Sequence, residues 1–297
     1  MTSQRMSGVL SPVVTPFSGD LSPDADRLAR QCQWLLSQNV GLAIFGTNSE
    51  ANSLSVDEKI DLMDALVDAG VDPARMMPGT GCCALTDSVR MTAHAAILGC
   101  GGTLMLPPFY YKGVSDDGLY ASYAEVIQRV GNDALQIYLY HIPPIAQVGL
   151  SVDLIDRLVK DFPDTVVGIK DSSGDWNNLH NLLTNFPSIS IFAGTEKFLV
   201  PGLRLGGAGI ISAMANVIPG TLRHLYDNWL SENADTLQED ANHTRSVLSA
   251  YPTIPALKGV VSHQRQDEAW RTVRPPLVAL SDERREETLT SLGLLEA

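Results

Sequence analysis

A lysine closes the apolar run TVVGIKD, residues 165 to 171, just before the turn-forming residues Ser172, Ser173 and Gly174. Apolar neighbours disfavour the charged ammonium and favour the free amine, which is a nucleophile towards carbonyl carbon. Six lysines occur in the chain; Lys59 and Lys160 fall on helical patterns and Lys112 in a loop, where a solvated role is the ordinary one. Lys170 stands apart by its position, although a strand-end lysine that snorkels to water is the plainer reading of the same placement. A phenol ends the preceding run, LQIYLYHI (135 to 142), at Tyr140, followed by His141 and the rigid Ile142-Pro143-Pro144. Schiff-base chemistry needs a positioned group that gives and takes protons, which a tyrosine supplies; the alternative is a buried tyrosine bonded to backbone. His141 either tunes that phenol or hydrogen-bonds its own turn. In FGTNSEANSLS, residues 45 to 55, Gly46 permits a sharp turn, and Thr47 and Asn48 offer donors for a small carboxylate.

The elements that must position these groups follow one alternation. Apolar, β-prone runs recur at 9–14, 41–46, 75–80, 102–108, 135–142, 165–171, 189–194 and 208–214. Between them lie segments of helical periodicity, such as Leu28, Trp34 and Leu35 or Ile60, Leu62, Met63 and Leu66, with Ser22, Ser55 and Ser151 as candidate caps. Strands apolar on both faces and separated by helices imply a parallel sheet, and eight such units favour a (β/α)8 TIM barrel. A doubly wound open sheet is the alternative. The barrel core is expected over 1–217, with its last helix and a C-terminal helical extension over 218–297. In such a barrel catalytic groups project from the C-terminal ends of strands, which is where Lys170 and Tyr140 fall.

Composition narrows the partners. With 44% hydrophobic and 19% charged residues the chain reads as globular. A net charge of -13 with no basic run argues against nucleic acid. No stretch of about 18 apolar residues marks a membrane span, and the first residues lack the apolar core of a signal peptide, so a cytoplasmic protein is expected. Cys32, Cys82, Cys83 and Cys100 show no metal-ligand spacing and read as reduced core thiols; the histidines show none either, so no metal is expected. GCGGT at 99–103 precedes a strand, and so reads as a helix terminus rather than a dinucleotide loop.

In order along the chain, GTNSE, PPFYYK, YHIP and GIKD, with AGIISAMAN and RPPL further on, resemble the dihydrodipicolinate synthase and N-acetylneuraminate lyase family of pyruvate-type class I aldolases. The resemblance spans essentially the whole chain and implies a (β/α)8 barrel, a homotetramer and no cofactor. By motif it makes Lys170 the Schiff-base lysine and Tyr140 the proton-transfer tyrosine. Thr47 matches the hydroxyl that links to this tyrosine or holds the 2-oxo acid carboxylate, and Asn48 takes the neighbouring carboxylate-binding place. Tyr111 matches a tyrosine that in some members reaches in from an adjacent subunit, and Ile211 lies where a backbone group approaches the pyruvate unit.

Departures from the pattern bear on the substrate. His141 stands where asparagine is common, and Asn48 and Ser49 stand where a hydroxyl residue and glycine are. Ile145 replaces the arginine of synthases acting on aspartate semialdehyde, which argues against 4-hydroxy-tetrahydrodipicolinate synthase. After Gly194 come Thr195, Glu196 and Lys197 rather than the acidic pair of sialic acid lyases. Gly194, Glu196 and Lys197 are therefore candidates for contacting the aldehyde half; Lys197 either pairs with a distal anion or is a solvated first-turn lysine. The expected activity is a Schiff-base lyase or aldolase joining or releasing pyruvate and an aldehyde. Alternatives are a 2-oxo-3-deoxy sugar acid dehydratase and a non-catalytic 2-oxo acid binder.

Overall fold

Apolar runs buried on both faces fold as short parallel strands. In the computed structural model, which describes residues 5–295, they are β1 (Gly8–Ser11), β2 (Gly41–Leu42), β3 (Thr103–Met105), β4 (Ile137–His141), β5 (Val166–Asp171), β6 (Ser190–Ala193) and β7 (Gly209–Ile211). Residues 1–4 of the N-terminal stretch and the last two of the closing helical segment lie outside the described residues. Every residue of β4 and β5 is buried, as strands covered by helices on one side and core on the other require. All pairings between neighbouring strands are parallel, in the order β2-β1-β7-β6-β5-β4-β3, and helices connect them; the fold is a (β/α)8 TIM barrel followed by C-terminal helices.

Contacts divide the chain into two compact units. The first comprises Asp72–Ile211 with the N-terminal residues up to Gly8, and holds β3 to β7. Here the run 75–80 departs from expectation, forming a 3-10 turn over Pro73–Arg75 and then a single parallel bridge between Gly79 and Leu104. Leu104 N–H donates to Pro78 O at 2.9 Å and Thr80 N–H to Leu104 O at 3.0 Å, but Pro78 has no N–H with which to extend a ladder. Tight packing shapes the neighbouring strands: a Cβ on Gly168 would meet a Tyr138 ring carbon at 2.3 Å and Ser190 O at 2.6 Å. GCGGT ends the helix Leu85–Leu98, with Gly99 as its left-handed cap. Cys32 alone is a fully buried thiol. Cys82 and Cys100 are half-buried and Cys83 is exposed, so the expectation of four core thiols holds only in part.

The second unit comprises Val9–Val71 and the chain from Ser212 onward. Its first helix, Ala25–Ser37, is capped by Asp24, whose side chain accepts from Arg27 N–H, rather than by Ser22, which bonds Asp20 in the preceding turn. Ser55 caps the helix Val56–Asp68 in a capping box with Glu58, as the S-x-x-E spacing predicts, and in the first unit Ser151 caps Val152–Asp161. Helices Pro219–Asp227, Ala234–Ser249, Thr253–Arg265 and Asp282–Ser291 form the C-terminal part. Among the described residues no helix is long and apolar enough to cross a membrane.

Candidate active site

Parallel register places Lys170 directly beside Tyr140 across β4 and β5, and beside Phe192 across β5 and β6. The Lys170 Nζ lies over the Tyr140 ring, 4.2 Å from its centroid. Both residues are 3% exposed, so the lysine does not snorkel to water. Lys170 makes no hydrogen bond or ion pair with any described residue. A buried amine faced only by a ring is costly in a structure that satisfies nearly all its buried polar groups, and such sites concentrate where chemistry is done.

Burial alone does not single it out, because Lys59 and Lys258 are buried as well, against the expectation that helical lysines are solvated. Lys258 is the instructive contrast. Its Nζ is ion-paired with Glu50, both side chains are fully buried, and it donates to Thr272 O at 2.7 Å. Burial pushes the Lys258 ammonium down to about 8, with Glu50 pulling the other way. Lys112 ties its loop down by donating to Phe109 O and to Ala146 O, the latter at 2.7 Å. Only Lys160 is the solvated helical lysine expected, paired with Asp156 one turn away.

His141, next after Tyr140, has its role settled by one bond. Its Nδ1 accepts from Leu150 N–H at 3.0 Å, which leaves Nε2 to carry the proton of the neutral ring. Burial lowers its basicity, while Asp171, its register partner on β5, acts oppositely. His141 therefore holds the chain that returns after Pro143–Ala146. On that short helix Ile145 is 62% exposed and presents no charge.

At the end of β6, Gly194 is the only residue type that fits: a Cβ would lie 2.2 Å from Ser172 Oγ and 2.6 Å from Asp171 O, at the end of β5. The following 3-10 turn, Glu196–Phe198, buries Glu196 completely and leaves Lys197 exposed. Ile211 ends β7 and is buried. Tyr111 is not drawn into the buried cluster; it stands 73% exposed, edge-on to Tyr110 at 5.3 Å.

Thr47 and Asn48 belong to the second unit, half-buried in the 3-10 turn Thr47–Ser49. Two non-glycine residues in the left-handed region bracket that turn, Phe45 at φ 59° and Glu50 at φ 55°. Such backbone is strained and persists only where its surroundings over-determine it. Those surroundings are visible: Thr15 Oγ1 donates to Ser49 O at 2.6 Å and Gly46 N–H to Ser49 Oγ at 3.2 Å. Glu50, buried, takes the Lys258 ion pair and accepts from Arg274 N–H at 3.0 Å. The Arg274 guanidinium in turn reaches Ser53 O at 2.6 Å and Glu58 at 2.8 Å. Sequence reading missed Glu50, Lys258 and Arg274; the clue available was an acid inside a turn motif, with no local sign of its distant cations.

Residues 5–293 match the family model described as the Dihydrodipicolinate synthetase family. An uncharacterized DapA-like lyase of Chloroflexus aurantiacus is 31% identical over 280 residues, covering 93% of this chain and 92% of that protein. The crystal structure of dihydrodipicolinate synthase from Agrobacterium tumefaciens str. C58 superposes with a TM-score of 0.90 at 33% identity, covering 96% of this chain and 98% of that one. YagE of E. coli K12, a prophage protein of the dihydrodipicolinic acid synthase family solved in complex with pyruvate, shares the fold at a TM-score of 0.89 and 23% identity, covering 97% of this chain and 99% of its own.

Proposed function

As the chain belongs to the dihydrodipicolinate synthetase family, whose members are Schiff-base lyases, we propose that it makes or breaks a 2-oxo acid, with pyruvate as one product half and an aldehyde as the other. The observation that carries this reading is Lys170: a buried lysine without an acid partner, its nitrogen held over Tyr140 at the ends of adjacent strands. Lys170 Nζ attacks the C2 ketone, and loss of water from the carbinolamine gives an iminium. The C3–C4 bond then breaks as Tyr140 accepts the proton of the C4 hydroxyl; the electron pair moves into the enamine and the aldehyde departs. Protonation at C3 and hydrolysis return pyruvate and the free amine. Condensation is the same sequence reversed.

On resemblance, the carboxylate falls to Thr47 and Asn48 and the backbone at Ile211, and the aldehyde half to Gly194, Glu196 and Lys197. Tyr111 suits a role across a subunit interface, its exposed ring being available to a second chain; a cytoplasmic homotetramer, measurable by light scattering, is the expected assembly. Ile145 offers no charge for a second carboxylate, which favours an aldehyde other than aspartate semialdehyde.

The test is borohydride reduction in the presence of pyruvate followed by peptide mapping. A stable adduct on the peptide containing Lys170 is expected, and an adduct on another lysine would overturn the assignment. Product analysis with a panel of 2-oxo acids then separates a lyase, which releases pyruvate and an aldehyde, from a dehydratase, which loses water.

A further inference from the structure

The second unit holds a cavity of about 280 Å³ that the proposed chemistry does not use. One face of the helix Ala25–Ser37 supplies Arg27, Arg30, Gln31 and Trp34, at successive helical spacing, and the opposite wall is Arg265, Asp267 and Trp270 from the end of Thr253–Arg265 and the turn after it. Three guanidinium groups thus meet around one small volume in a chain whose net charge is -13.

The acids nearby are already engaged. Arg27 is ion-paired with Asp24 and donates to Asp267 Oδ2 at 2.6 Å, and the other oxygen of Asp267 accepts from Ala269 N–H at 3.1 Å. Arg265 has no carboxylate. Its guanidinium lies on the Trp34 ring, 3.6 Å from the centroid, and Nε donates to Gln31 Oε1 at 2.9 Å. That bond orients both side chains and leaves two buried donors without an acceptor among the described residues, Arg265 Nη2 and Gln31 Nε2. Gln31 is 2% exposed, so solvent does not supply the acceptor. Burial alone acts on the charged form of Arg265, with no opposing acid.

We propose that this cavity is a binding site for a small oxyanion, a carboxylate or a phosphate, whose oxygens accept from Arg265 and Gln31 between the indoles of Trp34 and Trp270. An oxyanion matches each deficit: acceptors for the orphaned donors, negative charge for the guanidinium, and a size within the cavity. The site is independent of the Schiff-base reading, since none of its residues belongs to that machinery.

The experiment titrates the full-length protein with sodium phosphate and, separately, with sodium malonate, at ionic strength held constant with sodium chloride, following tryptophan fluorescence and melting temperature. A saturable response to phosphate or malonate, absent in chloride alone, is expected, and whichever of the two binds more tightly identifies the anion class. Arg265→Gln should weaken it at least tenfold. Gln31→Glu supplies an internal carboxylate to Arg265, so it should abolish the response while leaving the melting temperature equal or higher, and it keeps the test open if Arg265→Gln fails to fold. A non-saturating response, or one that survives in Gln31→Glu, overturns the proposal.

Discussion

Replacing Lys258 by methionine tests how the strained 45–50 turn is held. The substitution nearly preserves volume but removes the ion pair to Glu50, at a position where both side chains are fully buried, and the hydrogen bond to Thr272 O. Removing one partner of a buried pair costs about 3–5 kcal/mol, because the remaining charge is left without a counter-ion. Here the lower end applies, since Glu50 keeps the Arg274 N–H bond and the nearby Arg274 charge. For a chain of this size roughly 3 kcal/mol is a fall in melting temperature of about 5–10 °C. Adding Glu50→Gln removes the stranded charge, so the double variant should recover at least half of the loss. The assay is reversible denaturant unfolding of wild type, both single variants and the double, with steady-state kinetics on a 2-oxo acid alongside. Because Glu50 closes the turn Thr47–Ser49, KM should rise more than kcat falls. A Lys258→Met protein within about 1 kcal/mol of wild type, or a double variant no better than the worse single, would refute the claim that this pair fixes the turn.

Four further outcomes follow from the geometry. Lys170→Met replaces an unpaired buried amine with an apolar chain, so thermal denaturation should show equal or greater stability while turnover and borohydride trapping are lost, the rate falling at least about 1,000-fold. Tyr140→Phe keeps the ring beneath Lys170, so pyruvate should still be trapped, while turnover drops by roughly 100- to 10,000-fold in rapid-mixing assays. Hydrogen bonding to Arg274 holds Glu58 down at about 2 from 4.5, a depressed carboxylate whose contribution is complete above the unfolded value and lost as pH falls from 4.5 towards 2; acid titration of stability should show that loss, and Arg274→Met should remove it. Lys197→Ala should weaken cleavage of doubly anionic 2-oxo acids selectively if this exposed side chain meets a distal charge; equal effects on neutral and anionic substrates would assign it to solvent.

The sequence alone determined the alternation of strand and helix, and with it the barrel, because buried parallel strands must be apolar on both faces and crossovers must carry a 3.6-residue period. It also marked Lys170 and Tyr140, since polar groups at the ends of such runs break a pattern that burial otherwise enforces. Local chemistry was legible as well: Ser55 with Glu58 four positions into FGTNSEANSLS's closing helix start formed the capping box its spacing implies. What failed was whatever depended on distant residues. Pro78 reduced an apolar run to a single bridge, and Asp24 displaced Ser22 as a cap. Lys59 and Lys258 went inside although lysines on helices usually face water. Only tertiary structure could decide these, because burial and ion pairing join residues far apart in the chain. Glu50 meets Lys258 across 208 positions, and no local periodicity records the meeting. The same holds for the two facts that set Lys170 apart, its depth and its lack of an acid partner, which are properties of the folded surroundings rather than of the residue.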